Sequence, residues 1–147
     1  MKNSAGFTLV ELVVTIVLIG ILVGSSIPIY NRTIMRTQVS INLSNMKIIK
    51  DTFVRYFHEG LMNGNPQLPA VPENTLLDST YNNTELPDGR TPNNLFNGGL
   101  PYNQNNNPYT YYWEDDTSSS GFITRKLYIK DLDPDSPSYN QFVVGEI

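Results

Sequence analysis

Gly6-Phe7-Thr8-Leu9-Val10-Glu11-Leu12 opens an apolar segment that continues to Tyr30. Glu11 is the only charged side chain between Lys2 and Arg32. A charge inside a membrane segment costs on the order of 2.5–3.5 kcal/mol on insertion scales, so an intramembrane carboxylate is a candidate functional group by default. At about 1.5 Å per residue, a helical run of roughly 24 residues reaches across a bilayer core of ~30 Å. Two ordinary readings fit that length. One is a transmembrane anchor. The other is a secretory signal peptide, with Lys2 as its basic end and Gly24-Ser25-Ser26 as a small-residue cleavage site. Neither accounts for a glutamate at the head of the apolar run.

The whole pattern does. A short polar leader, Met1 to Ala5, carries one basic residue and ends at Gly6; then come Phe7, Glu11 and the apolar run, followed by Pro28 and Tyr30. This segment resembles the class III signal of type IV pilins and type II secretion pseudopilins. The resemblance covers about the first 30 residues. It implies that a membrane prepilin peptidase cuts between Gly6 and Phe7, removes residues 1–6, and methylates the new amine, leaving an N-methylphenylalanine at Phe7. Glycine suits the position before the cut because it presents backbone with no side chain in the way. Cleavage leaves an ammonium at Phe7. In a filament core that ammonium and the Glu11 carboxylate of a neighbouring copy neutralise each other, so a charge that is costly in lipid favours docking. The resemblance assigns Glu11 this assembly role. Flanking charges, Lys2 on one side and Arg32 and Arg36 on the other, would favour the reverse insertion. The resemblance implies a leader in the cytoplasm and a C-terminal domain on the periplasmic or extracellular side.

Gly20, Gly24 and Pro28 recur every four residues and share one helix face. Gly20 to Gly24 matches the GxxxG packing motif. The same residues also make a weak helix: Gly costs about 1 kcal/mol in a helix interior and Pro about 3 kcal/mol. Pro28 also removes the N–H that would reach the Gly24 carbonyl. Residues 24–28 are therefore the expected place for the helix to kink or unwind, and the resemblance implies such a loss of turns on assembly.

From Asn31 to Glu59 the chain becomes amphipathic. Met35, Val39, Leu43, Met46, Ile49, Phe53 and Phe57 follow at steps of three or four, the spacing of one helix face. Ile34, Ile41 and Ile48 form a second line at seven-residue steps. That line breaks after Ile48, which argues against a coiled coil. His58 falls in the expected last turn, a structural place for a partial positive charge, and Gly60 is the expected stop. From Phe7 to Glu59 an ideal helix measures roughly 80 Å. A helix half in lipid and half under a small sheet is the lollipop shape that the resemblance implies.

Residues 60–108 are dense in Asn, Pro and Gly and read as a long connector with little regular structure. Tyr109 to Glu114, Gly121 to Lys130 and Gln141 to Val144 have strand composition, with a hairpin loop at Asp115 to Ser120. The expected fold is α+β and pilin-like. It comprises a leader (1–6), a transmembrane and assembly helix (7–30), and a globular domain (31–147). Within that domain an amphipathic helix (31–59) leads through the connector to a three-stranded antiparallel sheet (109–147). Asp131-Leu132-Asp133-Pro134-Asp135 alternates carboxylates as a calcium loop does at its start. Ser136 stands where such a loop needs its turn glycine, and Phe142 where it needs its closing glutamate. The ordinary reading is a solvated acidic turn; the resemblance adds a candidate calcium site at Asp131, Asp133 and Asp135. Asn31, Asn42 and Asn82 match the N-glycosylation pattern, as an Asn-rich chain does by chance.

The 147 residues carry a formal net charge of -4 and no cysteine. An acidic chain without a basic cluster is not built to bind nucleic acid. The lack of thiols excludes a disulfide framework. One histidine, no phosphate loop and no acid/base pair leave an enzyme without support, and no cofactor is required. The expected function is a structural filament subunit, in a cell-surface pilus or a periplasmic secretion pseudopilus. It starts as a single-pass inner-membrane protein. Its expected partners are copies of itself, the membrane, the prepilin peptidase and, indirectly, a platform protein and assembly ATPase. The alternative is a membrane-anchored or secreted non-catalytic binding module.

Overall fold

The computed structural model describes residues 6–69, 74–117 and 123–147. The leader residues Met1 to Ala5 and the start expected for the second strand, Gly121 and Phe122, lie outside them. Contacts divide the chain into two units, Met1–Thr37 and Gln38–Ile147. Helix α1, Leu9–Met62, has 54 residues. In the first unit its apolar side chains are exposed throughout, from Phe7 at 88% onward. The helix is long and apolar enough to cross a membrane, and none of its most apolar window is buried. Its backbone stays helical through Gly20, Gly24 and Pro28. Ser25 and Ser26 donate their hydroxyls to the Leu22 carbonyl at 3.0 and 2.7 Å, a common side-chain bond near weak helical turns.

In the second unit one face of α1 is core. Asn42, Met46, Ile49, Phe53 and Tyr56 are buried, at alternating steps of four and three. The stripe read from the sequence contains three of these. It misses Asn42, which is polar, and Tyr56, while Phe57 stands half-buried beside them. The helix passes through Gly60 and stops two residues later. Asn65 N–H donates to the Gly60 carbonyl at 2.9 Å and Gly64 N–H to Leu61 at 3.1 Å. With Gly64 in the left-handed region (φ 76°), this is a Schellman cap, and the stop belongs to Gly64. Gly60 has another reason to be glycine: a Cβ there would sit 2.7 Å from the Asn65 carbonyl oxygen.

Four strands form one antiparallel sheet in the order β1 (Thr75–Leu76), β2 (Thr110–Thr117), β3 (Ile123–Lys130), β4 (Phe142–Glu146). The α+β class stands; the sheet gains β1, a strand too short to leave a periodic signal. The connector also carries a 3₁₀ turn, Tyr81–Asn83, and a one-turn helix α2, Pro92–Leu95. It supplies Leu77, Tyr81 and Leu100 to the core, where they join Met46, Ile49 and Phe53 from α1 and Tyr109, Tyr111, Leu127 and Ile129 from the sheet. Phe53 sits at the centre, with its ring 4.9 Å from Tyr111 and 5.8 Å from Phe96. Alternation along the strands turns Tyr112, Tyr128, Phe142 and Val144 to the other face.

Candidate processing and assembly segment

The first turn of α1 is built by Thr8 and Glu11. Thr8 is the N-cap: its carbonyl accepts from Leu12 N–H at 3.2 Å, and its hydroxyl accepts from Glu11 N–H at 3.2 Å. Glu11, three residues on, returns the contact. Its Oε2 accepts from Thr8 N–H at 2.9 Å and from the Thr8 hydroxyl at 2.8 Å. This reciprocal pair is a capping box. Thr8-x-x-Glu11 carries its sequence signature, so the feature was legible without coordinates. A reading that asks what Glu11 pairs with in another copy passes over the partner in its own chain.

Gly6 precedes the cap and is exposed. A Cβ added there would meet nothing within 4 Å, and the same holds for Gly20 and Gly24. Packing among the described residues therefore gives no reason for glycine at these three positions. Thr8 and Glu11 are brought together, with Phe7 exposed just before them; the candidate calcium carboxylates belong to the second unit.

There Asp131, Asp133 and Asp135 do not converge. Asp131 is fully buried, and its Oδ2 accepts from the hydroxyls of Ser136 and Ser138, both at 2.6 Å. Its Oδ1 accepts from Asp133 N–H at 3.1 Å and from the Asn103 amide at 3.4 Å. The Oδ2 of Asp133 accepts from the side-chain amides of Asn103 and Asn105, each at 2.9 Å. Side-chain amides, Asn105 foremost, then Asn107 and Asn103, hold the Asp133 carboxyl at about 2, below its usual 3.8. Asp135 is exposed and gives only its N–H, to Asp133 at 3.1 Å. Among the described residues no group of three or more His, Cys, Asp or Glu side chains is placed to hold a metal ion. The carboxylate oxygens face N–H and O–H donors, so as arranged they do not fit a cation.

The arrangement is a hydrogen-bonded knot that ties two loops to α1. Asn42 donates to Ser138 at 2.7 Å and to Ser136 at 3.2 Å, and accepts from Gln104 N–H at 3.1 Å. Asn45 donates to the Tyr102 carbonyl at 2.9 Å. Asn42 is thus a buried structural amide, although it stands in a glycosylation-type triplet. A second polar feature lies at the C-terminal end of α1, a cavity of about 130 Å³ bordered by Tyr56, Gly60, Asn65, Asp88 and Arg90. The Arg90 guanidinium is held by Asp88 and by Glu59 at 3.0 Å, and lies 5.1 Å from the Tyr56 ring centre.

The first unit has known counterparts. Residues 1–27 match the family described as the prokaryotic N-terminal methylation motif. Two curated relatives, each named fimbrial protein and each from Pseudomonas aeruginosa, are 34% identical to the chain over 89 residues. The match covers 60% of this chain and 56% of each relative, so the chain spans little more than half the length of the relatives it matches. No solved structure matches. The chain is thus headed by a segment that matches the prokaryotic N-terminal methylation motif, is similar in sequence to fimbrial proteins, and has a long-helix, small-sheet fold of the pilin kind.

Proposed function

We propose that the chain is a structural subunit of a type IV filament, a pilus or a type II secretion pseudopilus, assembled through its N-terminal helix. The observation that carries this reading is Glu11, a lone carboxylate in the apolar, exposed N-terminal part of α1, directly behind Gly6-Phe7. Prepilin peptidase cuts after Gly6 and methylates the amine of Phe7. Among the described residues nothing packs against Gly6, which supports a role in processing. In the subunit the carboxylate rests on its own Thr8; on assembly it meets the Phe7 amine of a neighbouring copy. Gly20, Gly24 and Pro28 mark where α1 gives up turns as subunits stack.

Before assembly the subunit spans the inner membrane once, with its C-terminal domain on the periplasmic or extracellular side. Its partners are the peptidase, the platform protein and its ATPase, and further copies of itself. No catalysis and no cofactor are asked of it. Calcium at Asp131, Asp133 and Asp135 has the hydrogen-bonded knot against it. A higher melting temperature in calcium than in chelator would show that the Asn103 and Asn105 amides turn their oxygens to a cation.

Mass spectrometry of the mature chain tests the processing. A chain beginning with methylated Phe7 is expected; one beginning near Ile27 means an ordinary signal peptide. Glu11→Val is expected to be processed and to yield little filament. Normal filament yield from this variant would remove Glu11 from the assembly step. Long surface filaments sheared from cells would identify a pilus rather than a pseudopilus.

A further inference from the structure

Among the described residues no strand pairs with the outer edge of β4, and the ladder shows which groups it presents. Arg125 and Ile147 exchange both backbone hydrogen bonds at 3.0 Å, and Asp131 N–H donates to the Gln141 carbonyl at 3.0 Å. Hydrogen-bonded positions alternate along an antiparallel strand. Residues 141, 143, 145 and 147 therefore face β3. Phe142, Val144 and Glu146 direct their N–H and C=O groups away from the sheet. Among the described residues no hydrogen bond reaches these outward groups.

Edge strands are usually blunted by proline, lysine, a bulge or shortness. At the other edge β1 has only two residues. β4 has five, Phe142-Val143-Val144-Gly145-Glu146, in unbroken register with β3. Its outer-face side chains are apolar and exposed, Phe142 at 54% and Val144 at 37%. They end an aromatic row that crosses the sheet. Tyr112 stacks on Tyr128 at 4.6 Å, and Tyr128 meets Phe142 at 6.0 Å.

We propose that β4 pairs with β4 of a second copy of this chain, antiparallel, about a two-fold axis at Val144. The strand is complementary to itself in this register. Val144 meets Val144, and Phe142 meets Glu146 of the second copy, so outward groups face outward groups along the whole junction. Charge selects the direction. Lys130 is the β3 neighbour of Phe142, so the arriving Glu146 lies on the side of the opposite charge. A parallel pairing in register would set Glu146 beside Glu146, like charges that repel. A two-fold contact closes on itself. It joins subunits in pairs, or one filament to another, and is separate from stacking through the N-terminal helix.

The chain has no cysteine, so single thiols report the register. In a hydrogen-bonded pair the Cα atoms stand roughly 5.5 Å apart, within disulfide reach. Full-length Val144→Cys, oxidised in detergent, is expected to form a covalent dimer about tenfold faster than Asn94→Cys on α2, which measures chance encounter and association through the helix. Phe142→Cys alone and Glu146→Cys alone should not exceed that background, and a mixture of the two should. Glu146→Pro removes an outward N–H without breaking a β3–β4 bond, and should abolish the Val144→Cys dimer. Three results overturn the proposal: Val144→Cys linking no faster than Asn94→Cys, Phe142→Cys linking to itself as fast as Val144→Cys, or the Val144→Cys thiol being captured by a different protein.

Discussion

The two units treat their polar and apolar groups in opposite ways. Between Gln38 and Ile147 the apolar side chains close on one another, and even a fully buried carboxylate, Asp131, has its donors within the same unit. Between Phe7 and Thr37 the apolar side chains face outward, and among the described residues the Glu11 carboxylate is answered by Thr8 at the start of its own helix. The globular unit holds what it needs to fold. The N-terminal unit is composed for surroundings it does not contain: lipid first and, in the reading proposed here, the helices of other copies. A sequence can therefore be strongly constrained in a segment that contributes nothing to its own core.

That contrast can be broken by substitution on either side. Phe53→Ala removes the ring at the centre of the globular core and should cost about 3–5 kcal/mol. Thermal unfolding should show a large fall in the melting temperature of the second unit, with leader processing unchanged by mass spectrometry. If processing fails as well, the two units are not independent. Asn42→Ala leaves Ser136, Ser138 and the Gln104 N–H short of a partner and should cost about 1–3 kcal/mol. Hydrogen exchange should quicken in residues 101–108 and 131–141 before the strands respond.

Thr8→Ala removes the side-chain half of the capping box and should cost about 0.5–2 kcal/mol, confined to the first turn of α1. Faster exchange at residues 9–12 with an unchanged melting temperature would sharpen the separation. The smallest effect is that of pH on the 131–135 loop. Asp133 titrates at about 2 in the folded chain, below its usual 3.8. A lowered carboxyl stabilises above its unfolded value, and that contribution is lost as pH falls through the folded one. The loop should loosen between about pH 4 and pH 2, and Asp133→Asn should remove the dependence, read by the melting midpoint across that range.

Where a single residue type at a fixed spacing carries the information, the sequence was readable. The apolar run and the strands, read from their aromatic and β-branched content, are of this kind. Features that depend on what a residue meets were not. Gly60 looked like a helix stop because glycine ends helices; its actual constraint is the Asn65 carbonyl five residues on. The acidic run 131–135 read as a solvated turn with calcium as a candidate because charge is visible, whereas the donors from Asn103, Asn105, Ser136 and Ser138 come from distant positions or carry no charge. Asn42 was invisible for a related reason: a search for an apolar stripe skips the polar residue that completes it.

Asn42 has a further consequence. Apolar side chains are tolerant neighbours, and a helix bearing only such residues could slide by a turn along the sheet while keeping much of its contact. An amide that both gives and accepts at set positions does not allow this. Sliding α1 so that Met46 took its place would offer a thioether to Ser136, Ser138 and Gln104, and bury their groups unanswered. The amide therefore acts as an alignment key: it fixes which turn of the long helix lies under the sheet.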